Sequence, residues 1–196
     1  KLLKDEDFNN INKYFPSIDK LNKKNGFHTN ALQKDRYCLY LDKKEDFDKL
    51  DNKNFWLNFY KSLYKQDFIQ IFEENLKIKL NDYHIQTQLI IDRENYILPP
   101  HCDHKRYSNN KKIPPSAQIT KFLTILIYIV ENPNLDLGTE IYIPNKYGNI
   151  KLEHRSFDLF KKAPYRSNIG FSFVPVPNLT WHGVSKIHPN MTRKTI

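Results

Sequence analysis

The segment FLTILIYIV, residues 122–130, decides the fold because it is the strongest strand-like run in the chain. It is apolar on both faces apart from Thr124 and Tyr128, which predicts a central strand of a sheet that is covered on both sides. Alternate residues of a strand share a face, so Thr124, Leu126 and Tyr128 are expected to point the same way.

Further strand-like segments lie on both sides of this run. Upstream, strand-like alternation begins at Tyr83, and residues 92–95 are predicted to form a turn. Two polar segments, residues 105–116 and 145–167, are predicted to be long connections between strands. The other predicted strands are Arg36–Leu41, His84–Ile91, Tyr96–Leu98, Gly138–Pro144, Ile169–Val176, Thr180–Ser185 and Thr192–Ile196.

Residues 51–80 have the periodicity of helices. Aromatic and aliphatic residues recur there at three- and four-residue spacing from Phe55 to Tyr64, and a second helix is predicted from Asp67. Helices followed by a series of strands predict an α+β fold with a β-sandwich or barrel. The 196 residues suit a single domain. It would have a mainly helical support region at 1–82, which packs on a sheet, and a β core at 83–196.

The chain is basic, with a formal net charge of +9 and a pI of about 9.3. Lysines scattered among Asn and Ile, as in residues 20–24 and 61–65, are as typical of a compositional bias as of a binding face, so nucleic acid is not the expected partner. The two cysteines and the absence of a C-x-x-C pair favour a reducing compartment. No apolar run reaches the ~18 residues of a membrane span. With no signal-peptide pattern either, a cytoplasmic protein is expected.

His101 and Asp103 form a candidate metal-binding pair in Pro99-Pro100-His101-Cys102-Asp103, directly after a strand-like run. Residues i and i+2 of a strand point to one side, so an imidazole and a carboxylate can reach one ion while Cys102 faces away. His104 is likewise expected to point away. Composition alone predicts about 0.8 such His-x-acid pairs in this chain, so the pair gains its weight from partners elsewhere.

Two later segments supply those partners. His182 lies in a similar strand setting, and two histidines with one carboxylate form the facial triad typical of non-haem Fe(II), with three positions left open. Arg193 follows in the last strand, and a hairpin between the two strands would place its guanidinium deeper in a barrel. There it can bind a carboxylate through two parallel hydrogen bonds. Thr195, two residues later, can add a hydroxyl on the same side.

Taken in order, these residues resemble the 2-oxoglutarate- and Fe(II)-dependent oxygenases of the prolyl-hydroxylase-like branch. The resemblance covers residues 84–196 and rests on several segments that follow one another in the family's order. They are LPPHCD, FLTILIYI, GTEIYIP, which is similar to the family's Gly-Gly-x-Thr segment with Leu137 in place of one Gly, and NIGFSFVPVPNLTWHGV followed by RKTI.

The resemblance implies a double-stranded β-helix, a jelly-roll or cupin-like barrel, with the N-terminal helices packed on one sheet. It implies that His101, Asp103 and His182 bind Fe(II), and that 2-oxoglutarate and dioxygen are consumed in hydroxylating an unactivated C–H bond. The substrate would be an amino-acid side chain, free or in a peptide, or a small metabolite. Arg193 would bind the distal carboxylate of 2-oxoglutarate. The residues implied to assist it or to line the same cavity are Thr195, Tyr128, Thr124 and Leu126.

The chain departs from the family's pattern in several places. The tyrosine often found on the strand before the ligand pair has no clear counterpart, and Tyr96 fits that role poorly. The loop after the pair is longer than in compact members. Asp103 disfavours a halogenase, which lacks this carboxylate. Nucleic-acid demethylases of the superfamily carry a second arginine after the first, which has no counterpart in the three residues that follow Arg193.

Two other functions are compatible with the sequence. A non-catalytic basic β-sandwich would bind an anionic partner through the two polar segments. A cupin-like barrel with a different metal would catalyse an isomerase-like reaction that does not depend on 2-oxoglutarate. The identity of the substrate and the oligomeric state have no signal in the sequence. The basic residues of the polar segments are Arg106, Lys111, Lys112, Arg155 and Arg166.

Overall fold

The computed structural model describes residues 2–23, 35–77, 79–80, 83–103, 123–130, 132, 136–145, 156–176 and 179–196. The helices are α1 Asp5–Tyr14, α2 Lys44–Phe47, α3 Lys53–Ser62 and α4 Gln66–Leu76, with a short 3-10 helix at Ile18–Lys20. The strands are β1 Asn22–Lys23, β2 Arg36–Tyr40, β3 Gln88–Asp92, β4 Leu98–His101, β5 Thr124–Ile129, β6 Glu140–Pro144, β7 Phe157–Lys162, β8 Gly170–Phe173, β9 Trp181–Val184 and β10 Arg193–Thr195. None of the helices within these ranges combines the length and the apolar composition that crossing a membrane requires.

The strands form two antiparallel sheets. The six-stranded sheet has the order β1-β2-β3-β10-β5-β8, and the four-stranded sheet has the order β4-β9-β6-β7. From β3 onward the chain passes repeatedly from one sheet to the other, so strands distant in sequence become neighbours. The predicted α+β class is confirmed, and the pair of sheets is compatible with a β-sandwich.

One face of the six-stranded sheet packs against the N-terminal helices. Ile11 of α1 and Trp56 of α3 are fully buried in one apolar cluster with residues from β2, β3 and β5. The apolar face expected between Phe55 and Tyr64 therefore packs on this sheet. The sheet residues of the cluster are Leu39, Leu89, Ile91, Ile127 and Ile129.

A second apolar cluster fills part of the space between the two sheets, which we call the intersheet space. It contains Tyr128 of β5 and Val184 of β9, which belong to different sheets. Alternation along β5 therefore points Ile127 towards the helices and Tyr128 towards the intersheet space. The cluster comprises Tyr96, Tyr128, Leu137, Ala163, Tyr165, Val184 and Ile187.

Three predictions of secondary structure are wrong. The strand expected at Tyr96–Leu98 lies at Leu98–His101 and shares only Leu98 with that prediction. The strand expected at His84–Ile91 begins only at Gln88 and includes Asp92, which the sequence pattern assigns to a turn. The connection expected at residues 145–167 contains β7, an edge strand of the four-stranded sheet. Leu159 and Phe160 of β7 are 54% and 66% exposed, so this strand lacks the half-buried alternation by which strands are recognised. The connection expected at 105–116 lies outside the described residues.

Candidate metal centre

His101 and His182 lie directly opposite each other on β4 and β9, neighbouring strands of the four-stranded sheet. Their ring centroids are 4.2 Å apart. Asp103 follows β4 by two residues, and one ligand atom from each of the three side chains lies within 4.8 Å of the other two. The structure thus brings together the three residues that the sequence singled out as metal ligands.

Each of the two imidazoles is oriented by a backbone carbonyl oxygen. Nδ1 of His101 lies 3.0 Å from the carbonyl oxygen of Pro99, and Nδ1 of His182 lies 3.3 Å from the carbonyl oxygen of Thr180. A carbonyl oxygen only accepts, so each Nδ1 carries the hydrogen, and the lone pair of the neutral ring is on Nε2. Metal-binding histidines are commonly oriented by such a hydrogen bond from their other ring nitrogen.

The spacing of the ligand atoms fits a single ion. Nε2 of His101 is 3.9 Å from Oδ1 of Asp103, and Nε2 of His182 is 3.7 Å from Oδ2. Donor atoms bound at about 2.1 Å to one ion are roughly 3 to 4 Å apart. Two imidazoles and one carboxylate suit Fe(II) with positions left open for other ligands.

Gly183 allows β4 and β9 to approach each other beside this cluster. A Cβ at Gly183 would lie 2.5 Å from the carbonyl oxygen of Leu98 and 3.3 Å from the carbonyl carbon of Pro99. Both contacts are with backbone, so a larger residue would separate the two strands that carry the histidines.

The cluster faces the intersheet space. The ring of Phe173, on β8 of the other sheet, lies 4.6 Å from the ring of His182. Cys102 is buried while its neighbours His101 and Asp103 are half-buried, as expected for residues on opposite sides of an extended segment.

A row of three charged side chains crosses the six-stranded sheet. Asp92 of β3 is in register with Arg36 of β2 on one side and with Arg193 of β10 on the other. Arg36 donates two hydrogen bonds to Asp92, from Nε to Oδ1 at 2.6 Å and from Nη2 to Oδ2 at 2.9 Å. Arg193 donates from Nη1 to the same Oδ2 at 2.8 Å. We call these three residues the charged row.

The charged row faces the intersheet space as well. The Arg36 guanidinium lies 4.4 Å from the ring centre of Tyr96, and that of Arg193 lies 5.5 Å from the ring centre of Tyr128. Both tyrosines belong to the intersheet cluster. His182 and Arg193 reach the same space from different sheets, because β9 pairs with β4 and β6 whereas β10 pairs with β3 and β5. The hairpin expected between these two strands is therefore wrong.

Arg193 is held in place by hydrogen bonds to three residues. Besides its bond to Asp92, its Nε donates to the carbonyl oxygen of Leu137 at 2.8 Å and its Nη2 donates to Oγ1 of Thr139 at 3.1 Å. The Tyr128 hydroxyl donates to the same Thr139 oxygen and accepts from the Thr139 backbone N–H, both at 3.0 Å. A guanidinium has five N–H donors, so within the described residues one donor on each terminal nitrogen has no partner.

The charged row contains two cations and one anion. The side chains of Arg36, Asp92 and Arg193 are 15%, 0% and 3% exposed. Burial lowers the pKa of Arg36, but the adjacent Asp92 carboxylate more than reverses this and raises that pKa above its ordinary value, so Arg36 remains charged. In the part of the chain that the structure describes, Asp92 is the one carboxylate bonded to either arginine. A second anion would balance the row.

Two hydroxyls near this row, those of Thr195 and Tyr96, are buried and lack a hydrogen-bond partner among the described residues. The buried hydroxyl of Thr124 also lacks one there, but Thr124 lies opposite Phe173, four residues along β5 from Tyr128. Burial raises the pKa of Tyr96, so its hydroxyl stays protonated and able to donate. Buried polar atoms are nearly always hydrogen-bonded, so a bound polar ligand or water would satisfy the hydroxyls of Thr195 and Tyr96. Tyr96, which fits the family's pattern poorly, nevertheless lies in the intersheet cluster.

The remaining residues expected to line the cavity lie on the same face of the sheet. Tyr128 is in register with Thr195, and Leu126 shares the face of Tyr128 by alternation along β5. Leu126 is half-buried and in register with Phe171 of β8. His104 and four of the five basic residues noted in the polar segments lie outside the described residues. The fifth, Arg166, is exposed.

Sequence reasoning missed Arg36 and Asp92. Asp92 directly follows the apolar run Leu89-Ile90-Ile91, where a charged residue reads as the start of a turn. Its parity with Ile90 was the available signal, since both residues share the inward face of β3. Arg36 begins a short strand in a region expected to be mainly helical.

Two comparisons with known proteins identify no relative of this chain. A scan against protein-family models and a search of curated proteins both find no match to this chain. The two groups facing the intersheet space are therefore interpreted from their own chemistry.

Proposed function

We propose that this protein is a 2-oxoglutarate- and Fe(II)-dependent dioxygenase that hydroxylates an unactivated C–H bond of an amino-acid side chain or a small metabolite. One observation carries the proposal: a group of metal-ligand atoms on one sheet and a cationic group on the other face the same space. A keto acid with a distal carboxylate has complementary ends, because it can chelate a metal at one end and bind an arginine at the other.

The order of the strands supports a double-stranded β-helix. Strands β3 to β10 are distributed as β3-β10-β5-β8 in one sheet and β4-β9-β6-β7 in the other. This order makes β4 a neighbour of β9 and β3 a neighbour of β10, as expected for a jelly roll. It also explains how residues from the two ends of the β region meet.

The residues present fit an iron ion. His101, Asp103 and His182 would hold it through two Nε2 atoms and a carboxylate oxygen. The carbonyl oxygens of Pro99 and Thr180 fix both rings with Nε2 directed at the cluster. Iron and 2-oxoglutarate together supply the oxidising chemistry by which dioxygen hydroxylates a C–H bond, with succinate and carbon dioxide formed from 2-oxoglutarate.

The charged row would bind the distal carboxylate. The unused N–H groups on the two terminal nitrogens of Arg193 can donate to it as a pair. The hydroxyls of Thr195 and Tyr96 supply further donors that no described residue engages. Tyr128 and Thr139 hold the guanidinium rather than the ligand, since their hydroxyls are bonded to each other.

Apolar side chains around these groups would restrict water. Leu126 and Phe171 are in register on β5 and β8, and the ring of Phe173 contacts the ring of His182 at a tilt. A water-poor cavity strengthens the attraction between the arginine and a carboxylate, and it protects reactive species from side reactions.

The proposal is tested by the change His182→Ala. We expect loss of Fe(II) binding and loss of succinate release from 2-oxoglutarate, because one ligand of the triad is removed. The matched control is His188→Ala, an exposed histidine in the segment between β9 and β10, which should behave as wild type. Absence of Fe(II)-dependent succinate release from the wild type, or full release from the His182 variant, would refute the assignment.

The alternative of a basic β-sandwich that binds an anionic partner makes opposite predictions. It predicts no metal by elemental analysis and binding to a polyanion that weakens steeply with salt. A barrel with a different metal predicts metal binding together with a reaction that is insensitive to 2-oxoglutarate. Measuring metal content and succinate release on one preparation separates all three functions.

A further inference from the structure

We propose that Arg36 is a positioning residue for the carboxylate-binding Arg193, acting through Asp92, and that it sets the affinity of the cavity for a dicarboxylate. The inference rests on the proposed function, because it concerns the same cavity. Arg36 comes from β2, upstream of the strands assigned to the β-helix, so the N-terminal region would contribute to the site.

Two arginines of the charged row share one carboxylate. Arg36 binds both oxygens of Asp92, and Arg193 binds Oδ2, which therefore accepts from both guanidiniums. Without Arg36, the negative charge of Asp92 would be matched by Arg193 alone, and the pair would be neutral. With Arg36 present, the charge of Arg193 is not cancelled and remains available to an incoming carboxylate.

The contacts within the charged row hold its side chains in fixed positions. The bidentate contact fixes the plane of the Asp92 carboxylate, and Asp92 in turn fixes one terminal nitrogen of Arg193. The ring centre of Tyr96 lies 4.4 Å from the Arg36 guanidinium, and the buried Tyr96 hydroxyl has no hydrogen-bond partner among the described residues. A preorganised donor set binds its ligand without first losing conformational entropy, which improves affinity.

The charged row contains one more cation than a structural ion pair requires. A structural ion pair is satisfied by one cation for one anion, and Arg193 already provides that cation for Asp92. The second arginine, in register on the other side, exceeds what pairing requires. Its presence is explained if the row has to hold a net positive charge for a ligand.

The test measures affinity and turnover separately. Glutarate carries two carboxylates but no keto group, so it probes the anion site in the metal-free protein by calorimetry. Succinate release with Fe(II) gives KM for 2-oxoglutarate and kcat. For Arg36→Met we expect glutarate affinity to fall and KM to rise by about tenfold, with kcat within about twofold of wild type and Fe(II) affinity unchanged.

Three further variants serve as controls. Arg36→Lys keeps the charge, so most of the affinity should be rescued. Arg93→Met removes an exposed arginine next to Asp92 and should behave as wild type. The double change Arg36→Met with Asp92→Asn removes one charge of each sign and restores the net charge of the row. We expect it to bind glutarate more tightly than Arg36→Met alone, whereas a structural role predicts a further loss. If Arg36→Met does not fold, the double variant is compared with the wild type: glutarate affinity near that of the wild type supports the inference, and a loss of about tenfold or more contradicts it.

The outcomes distinguish this inference from the proposed function. If the wild type releases no succinate, the proposed function fails, and glutarate binding still tests the charged row. If wild-type turnover is normal and Arg36→Met has unchanged KM and glutarate affinity, the role of Arg36 alone is refuted. A wild type that does not bind glutarate refutes it too. A loss of kcat at constant KM, or a double variant weaker than the single one, assigns Arg36 a structural role and overturns the inference.

Discussion

The two sheets present opposite chemistry to the space between them. On the four-stranded sheet, two Nε2 lone pairs and a carboxylate converge, and such a group attracts a cation. On the six-stranded sheet, two guanidiniums converge on a single carboxylate, and such a group attracts an anion. Neither the metal-ligand group nor the charged row identifies a function when it is considered alone. A group of metal-ligand side chains suits many reactions, and a cationic row suits many anions, but the two together would complement a ligand with a chelating end and an acidic end.

The largest effect is expected from a substitution that separates the two strands carrying the metal-ligand histidines. Gly183→Ala places a methyl group against the Leu98 carbonyl oxygen, so β4 and β9 must separate. We expect a loss of about 2–4 kcal/mol in the free energy of unfolding, together with loss of Fe(II) binding, measured by denaturation and metal titration.

The matched control is Gly170→Ala, where the added Cβ meets the end of the Leu2 side chain, 2.6 Å away, instead of backbone. Because that side chain can move, Fe(II) binding should be retained. Equal effects of the two changes on Fe(II) affinity would contradict the role given to the approach of β4 and β9.

An intermediate effect is expected from removing the carboxylate-binding guanidinium of Arg193. Arg193→Met removes the paired N–H donors, so KM for 2-oxoglutarate should rise by roughly 30-fold or more while Fe(II) affinity is unchanged. The neighbouring Lys194 lies on the opposite face, 5.6 Å from the ring centre of Phe15, and Lys194→Met should leave KM as in wild type. If Arg193→Met instead weakened the binding of Fe(II) as strongly as that of 2-oxoglutarate, the metal ligands and the charged row would not act as separate binding groups.

The smallest effect, with opposite signs for affinity and stability, is expected at Thr195. Thr195→Val replaces a buried hydroxyl that lacks a partner among the described residues by a methyl group of similar size. Removing the unsatisfied hydroxyl should raise the free energy of unfolding by about 0.5–1 kcal/mol. If the hydroxyl serves 2-oxoglutarate, KM should rise several-fold. A destabilised variant with unchanged KM would show that Thr195 serves packing instead.

The sequence predicted the parts of the fold that depend on local pattern. The run at residues 122–130 is long and apolar, so β5 could be foreseen, but it lies next to the edge strand β8 and not at the centre of the sheet. The i, i+2 spacing of His101 and Asp103 predicted their common side. β7 could not be recognised, because it is an exposed edge strand whose side chains are not sorted into buried and exposed positions.

The charged row escaped prediction for a different reason. Arg36 and Asp92 are distant in sequence, and only the pairing of β2 with β3 puts them in register. A single residue of register shift would move Arg36 to the helix-facing side of the sheet. Long-range register of this kind is set by packing of the whole sheet and has no local signature, whereas the spacing of a ligand pair within one strand has one.

The most direct test of the central claim is calorimetric titration of 2-oxoglutarate and of glutarate into the protein without oxygen, with and without Fe(II). If one ligand spans a metal on one sheet and Arg193 on the other, Fe(II) should strengthen the binding of 2-oxoglutarate by at least about tenfold. It should leave the binding of glutarate, which cannot chelate through a keto acid, within about twofold. Equal affinity for 2-oxoglutarate with and without Fe(II) would contradict the account.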